Sequence, residues 1–91
     1  MIKECLQSLL DSGIDFGDIR KTRIKGYIDN LDENKLEYLM CNFNGLIAND
    51  IYIHYYPNIG FRCSNDERKT GKLPMCNIIQ NRLNKKYQEL L

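Results

Sequence analysis

Valine and tryptophan are absent and alanine occurs once, whereas isoleucine occurs eleven times, asparagine ten, lysine eight and tyrosine six. The abundant residues share AT-rich codons, so the bias points to an AT-rich genome such as that of a low-GC bacterium, its phage or a large DNA virus. No stretch approaches the roughly 18 apolar residues of a membrane span. The start, MIKECLQSLLDSG, lacks the long apolar region and small-residue cleavage site of a secretory leader. A cytoplasmic location with no membrane partner is therefore expected. The four cysteines, Cys5, Cys41, Cys63 and Cys76, include no C-x-x-C pair and three sit among apolar residues, which favours reduced thiols over a disulfide framework.

Catalytic signatures are missing as well. Neither a phosphate-cradling P-loop nor a G-x-S-x-G elbow is present. His54 is the only histidine, so a nucleophile–base pair would have to join it to Cys63, with Asp50 as orienting acid. Zinc requires four nitrogen or sulfur donors in a tetrahedron, and Cys41, His54, Cys63 and Cys76 have the right chemistry. Their spacings of 13, 9 and 13 residues lack the close pairs on a tight turn that structural zinc uses. The chain reads as non-enzymatic, with no metal and no cofactor.

What is present suits one small α+β domain over residues 1–91, since a chain of this length has room for a single core. Ile2, Cys5, Leu6, Leu9 and Leu10 form a helical stripe, and Ser12-Gly13 supplies a left-handed stop, placing a first helix near 2–11. Asp15 reads as an N-cap, with Ile14 and Ile19 as a hydrophobic staple. A second helix should then start near Phe16 and carry Ile24, Tyr27, Ile28 and Leu31 inward. Asn30 with Glu33 is a further cap-like start. Leu36, Leu39, Met40 and Phe43 suit a third helix ending at Asn44-Gly45, although a strand over 36–43 fits the short apolar run too.

Residues 51–56 alternate in the period of a half-buried strand, and a second strand follows at once. Asn58, Ile59 and Gly60 suit a type I turn closed by a left-handed glycine, giving a β-hairpin over about 50–64. The three-residue loop pairs odd with odd positions. Ile53, Tyr55, Phe61 and Cys63 then share one face, and Tyr52, His54, Tyr56, Arg62 and Ser64 the other. The stretch SNDERKTGK reads as a polar loop. Pro74 opens a last helix whose stripe is Met75, Cys76, Ile79, Leu83, Tyr87 and Leu90. Three N-terminal helices, a hairpin and a C-terminal helix are compatible with a winged-helix-like arrangement.

Two surfaces stand out as candidates for binding. Tyr and Arg dominate protein interfaces because they offer large contact area with polar tips, which singles out Tyr52, His54, Tyr56 and Arg62, unless the last helix covers that face. The same face could also stack bases. The basic run Arg20, Lys21, Arg23 and Lys25 follows Gly13-Ile14 and Ile19 at helix-turn-helix spacing and would address DNA phosphates. Against that, Leu9 stands where a small residue is usual, and Asp15 and Asp18 lie at the end that would enter the groove. Net charge is only +1, divided into −2 over residues 1–37, −1 over 38–61 and +4 over 62–91. That balance disfavours a general nucleic-acid footprint. The expectation is a small binding protein from a phage, virus or mobile element that binds and inhibits a host macromolecule, for example a defence or nucleic-acid-processing protein, with a protein the favoured partner and nucleic acid the other. A winged-helix-like DNA-binding regulator is the alternative.

Overall fold

A computed structural model describes residues 1–43, 45–47, 51–65 and 73–91. The chain runs α1 (Ile2–Asp11), α2 (Asp18–Asn30), α3 (Glu33–Asn42), β1 (Gly45–Leu46), β2 (Ile51–Tyr56), β3 (Gly60–Asn65) and α4 (Leu73–Leu90). This is the α+β domain expected from the sequence, with one element more. The two-residue strand β1 pairs antiparallel with β2, so the hairpin belongs to a three-stranded sheet in the order β1-β2-β3. Among the described residues, no helix is long and apolar enough to cross a membrane. The expected polar loop at SNDERKTGK falls largely on residues 66–72, outside the described residues; its first two, Ser64 and Asn65, still belong to β3.

Helix α1 lies at the centre of the packing, against α2, α3 and α4. Its stripe of Ile2, Cys5, Leu6 and Leu9 is buried. The helix ends as its sequence dictates: the Ser12 hydroxyl donates to the Leu9 carbonyl at 2.7 Å, and Gly13 takes φ +78°. At its start the orphan N–H groups, which no intrahelical carbonyl can reach, are met from another helix. Glu33, in the first turn of α3, accepts from the N–H of Ile2 and, at 3.3 Å, from that of Lys3. It also accepts from the Met1 ammonium at 2.9 Å. The residue read as half of a local capping pair is therefore a tertiary cap, and the cap of α3 is Asp32, which accepts from the Lys35 N–H at 2.8 Å. Asn30 instead ends α2, donating to the Gly26 carbonyl.

Helix α2 begins two residues later than expected. The Asp15 carboxylate accepts from the Gly17 N–H at 3.2 Å, a local turn rather than a helix cap. Gly17 then takes φ +94° before Lys21 N–H closes on the Gly17 carbonyl at 3.1 Å. The staple does not form, because Ile19 is 74% exposed. Residues 36–42 are helical rather than extended. The buried stripe of α3 stops at Met40, leaving Phe43 in solvent.

The hairpin register is the one the loop length implies: Tyr56 faces Gly60, Tyr55 faces Phe61, His54 faces Arg62 and Ile53 faces Cys63. The turn itself differs. Ile59 N–H bonds the Tyr56 carbonyl at 3.0 Å with Pro57 second and Asn58 third at φ +67°, the positional pattern of a type II turn. Gly60, at φ +132°, is needed for a second reason. A Cβ there would lie 2.5 Å from Asn84 Oδ1.

Asn84 and Gln80, one turn apart on α4, seal the exposed edge of β3. Asn84 Oδ1 accepts from the Phe61 N–H at 2.7 Å while its Nδ2 donates to the Phe61 carbonyl at 3.0 Å. Gln80 Oε1 accepts from the Cys63 N–H at 3.0 Å. Beneath them Cys76, Ile79, Leu83 and Tyr87 are buried, with the Tyr87 ring edge-on to Phe61 at 6.1 Å and to Tyr55 at 5.9 Å.

Burial works against the Glu33 carboxylate, but the bonds it accepts from the ammonium and from Ile2 and Lys3 outweigh it and hold its pKa below the ordinary 4.5. The stabilisation is then complete above that ordinary value and is lost as pH falls through the depressed one. Glu33→Gln should cost about 1 kcal/mol at neutral pH, as loss of a helix cap does. Urea unfolding from pH 7 down to pH 3 should show variant and parent converging in acid. Asn84→Ala, which strands the Phe61 N–H and carbonyl, should cost about 1–3 kcal/mol. Gly60→Ala should be less damaging in the Asn84→Ala background than in the parent, because the nearest clash is gone; equal costs in the two backgrounds would show that Asn84 does not constrain Gly60.

Candidate functional site

The hairpin has one face in the core and one outside it. Ile51, Ile53, Tyr55 and Phe61 are buried, while Tyr56 is 42% exposed and Arg62 is exposed beside it. Tyr52 and His54 are half-buried on the same outward face. Helix α4 meets the inner face of the hairpin, where Tyr87 packs edge-on to Tyr55 and Phe61, so it lies on the side away from this surface. The His54 and Tyr56 rings, two residues apart on one strand, touch at a centroid distance of 4.4 Å and a tilt of 42°. Arg62 stands opposite His54 on the neighbouring strand. The structure therefore brings all four sequence-predicted partner-binding residues onto one surface, with their backbones held by the β2–β3 ladder.

The other candidate residues are not brought together in the same way. Successive helical residues are rotated by roughly 100°, so Arg23 and Lys25 project about 160° apart around α2. Arg20 turns back on its own helix and donates from Nη1 to the Phe16 carbonyl at 2.8 Å. Lys21 Nζ lies 5.6 Å from the centre of the Phe16 ring, the geometry of a cation–π contact. Arg23 bonds the Tyr27 hydroxyl, whose pKa burial pushes up against the effect of that neighbouring guanidinium. These four cations border the buried side of α2 from both flanks instead of forming one phosphate-facing row.

For nucleophilic chemistry, His54 and Cys63 occupy opposite faces of the hairpin. Asp50 lies outside the described residues. Among the described residues no three His, Cys, Asp or Glu side chains converge, so the quartet of Cys41, His54, Cys63 and Cys76 is not assembled. The thiols are buried or half-buried and none is in a disulfide. Burial pushes the Cys5 thiol up to about 11 and raises Cys41 and Cys63 too, which makes them poor nucleophiles at neutral pH.

Three exposed apolar features escaped the sequence reading. Ile59, at the hairpin tip, is 74% exposed. The exposed rings of Tyr38 and Phe43 touch at 5.4 Å on the outer side of α3. An open groove of about 640 Å³ runs along α2 past Ile19, Arg23, Gly26, Tyr27 and Leu31. Tyr38 falls off the apolar stripe of α3, whereas Phe43, Tyr27 and Leu31 lie on stripes that read as inward and Ile19 in the expected staple, so spacing alone does not reveal these features. Compared with known proteins, the chain matches no family model, no curated protein and no solved structure.

A charge-removal variant distinguishes the two surfaces. With Arg20, Lys21, Arg23 and Lys25 all replaced by Gln, any association with duplex DNA should keep the parent's salt dependence. Were these side chains gripping phosphates, each lost contact would take about 0.9 from the slope of log affinity against log salt.

Proposed function

We propose that this protein is a non-enzymatic binding protein whose contact surface is the outward hairpin face of Tyr52, His54, Tyr56 and Arg62, and that it acts by capturing a protein partner. The observation that carries this reading is the exposure of Tyr56 and Arg62 on a strand pair whose opposite face is locked into the core. Such a platform presents an aromatic ring and a guanidinium with little backbone entropy left to lose, which favours tight contact. Residues 51–65 contain no Asp or Glu, so the charge that the two strands themselves present is the guanidinium of Arg62, which suits an acidic group on the partner.

The inhibitory part of the proposal rests on the AT-rich residue usage and the small size of the chain. A compact platform on which no catalytic set is assembled among the described residues suits occlusion, the mode of action expected of a phage or mobile-element product directed at a host macromolecule. The DNA-regulator reading is less favoured, because the basic residues of α2 are divided between its two flanks, and Arg20, Lys21 and Arg23 engage Phe16 and Tyr27.

Tyr56→Ala is the informative variant. With the partner recovered from lysate of an AT-rich bacterial host, it should weaken binding by about 2 kcal/mol, roughly thirtyfold. Its thermal midpoint should stay within a few degrees of the parent. A midpoint far below the parent would make Tyr56 a core residue, and unchanged affinity would remove the hairpin face from the contact.

A further inference from the structure

We propose that Cys63 and Cys76 form a closable dithiol, a redox modification site at which a low-molecular-weight disulfide converts the two thiols into an intrachain disulfide joining β3 to α4. The seal on the sheet edge lays α4 alongside β3, and the contact between the two thiols is made from the inner faces of both elements. Asn84 holds Phe61 and Gln80 holds Cys63, so a step of two residues along the strand matches a step of four along the helix. Those steps are about 6.6 Å and 6 Å, and the two elements therefore run alongside each other in opposite directions. Cys76 lies one turn before Gln80 on the buried stripe of α4, 1% exposed. Cys63 is directed to the inner face of the sheet and is half-buried. The two thiols are hydrogen-bonded to each other. Cys5 lies in α1 and Cys41 in α3, on neither of these two elements.

The difference in exposure assigns the roles. The Cys63 thiolate attacks one sulfur of the incoming disulfide, displacing one small thiol and leaving a mixed disulfide on Cys63. The Cys76 thiolate then attacks the Cys63 sulfur, forming the intrachain bond and displacing the second small thiol. Two protein thiols and one small disulfide become one protein disulfide and two small thiols, with two electrons passing to the oxidant. Burial first, then the neighbouring Cys76 thiol, holds Cys63 above the ordinary thiol range, opposed only weakly by Arg20 of α2. Closure should therefore be slow at neutral pH and accelerate in base. The bond would fix the strand that carries Arg62 to the helix beneath it, which couples the redox state of the core to the outward face.

The test uses the full chain, folded, with excess oxidised glutathione at pH 8.5, followed by alkylation, trypsin and mass spectrometry. The expected product is lower in mass by two hydrogens and yields a cross-link between peptides 63–68 and 73–82. It should form in the Cys5→Ser/Cys41→Ser variant and be absent from Cys63→Ser, with a rate that rises about tenfold per pH unit from pH 7 to 8.5. Glutathione left on Cys63 without closure, a cross-link through Cys5 or Cys41, or no reaction would each overturn the proposal. The parent protein's peptide map decides the matter even if a variant does not fold.

Discussion

Strand β3 is the last strand of the sheet, and the outward N–H and carbonyl groups of Phe61 and Cys63 need partners. A bare edge of this kind recruits other chains, and proteins commonly cover it with a helix or loop. Here the cover is made with side-chain amides. Asn84 offers an acceptor and a donor to Phe61, much as a neighbouring strand would, and Gln80 adds an acceptor for Cys63. Because both amides sit on the row beside the buried stripe of α4, the polar seal and the apolar packing of Ile79, Leu83 and Tyr87 share one helix orientation. Neither can shift by a residue without losing the other.

That coupling determines where the exposed chemistry lies. With the inner residues of β2 and β3 held against α3 and against Tyr87 of α4, the alternate residues have no place but outside. Tyr56, Arg62, His54 and Tyr52 are thus positioned by contacts they do not make. Helix α2, by contrast, packs only against α1 among its larger contacts. It has one fully buried residue, Ile24, and its cations are divided between its flanks. A loosely committed helix of this kind contributes less to a fixed contact surface than a hairpin clamped from below.

Periodicity and loop length made much of this fold legible. The limits of α1 follow from its stripe and Gly13, and the hairpin register follows from an odd loop with opposed apolar residues. Both depend on interactions between residues close in sequence. What escaped depends on distant ones. Glu33 and Asp32 are each plausible caps in sequence, and only the docking of α1 against α3 gives Glu33 to Ile2 and Lys3. Strand β1 is two residues long, too short to express a period of two. Asp15 was misread because an aspartate makes the same first bond in a local turn as in a helix cap, and Gly17 allowed the turn. The four outward residues of the candidate site were legible as a group; their exposure was not, since it depends on which side of the sheet α4 occupies.

The glycine at position 60 shows how closely the hairpin face and the core constrain each other. A type I turn closed by a left-handed glycine would explain Gly60 by backbone conformation alone. The observed turn puts Asn58 at positive φ as well, and Gly60, itself at φ +132°, is constrained a second time by the approach of Asn84 from another element. The residue that pairs with Gly60 is Tyr56, the most exposed aromatic of the outward face. The chain of dependence is thus short: α4 packs by its apolar stripe, Asn84 reaches β3 only over a glycine, and that glycine closes the ladder at Tyr56. A side chain at position 60 that displaced Asn84 would release the edge of β3 and the end of β2 together. The face best suited to meet a partner is therefore also the part of the sheet most dependent on the C-terminal helix.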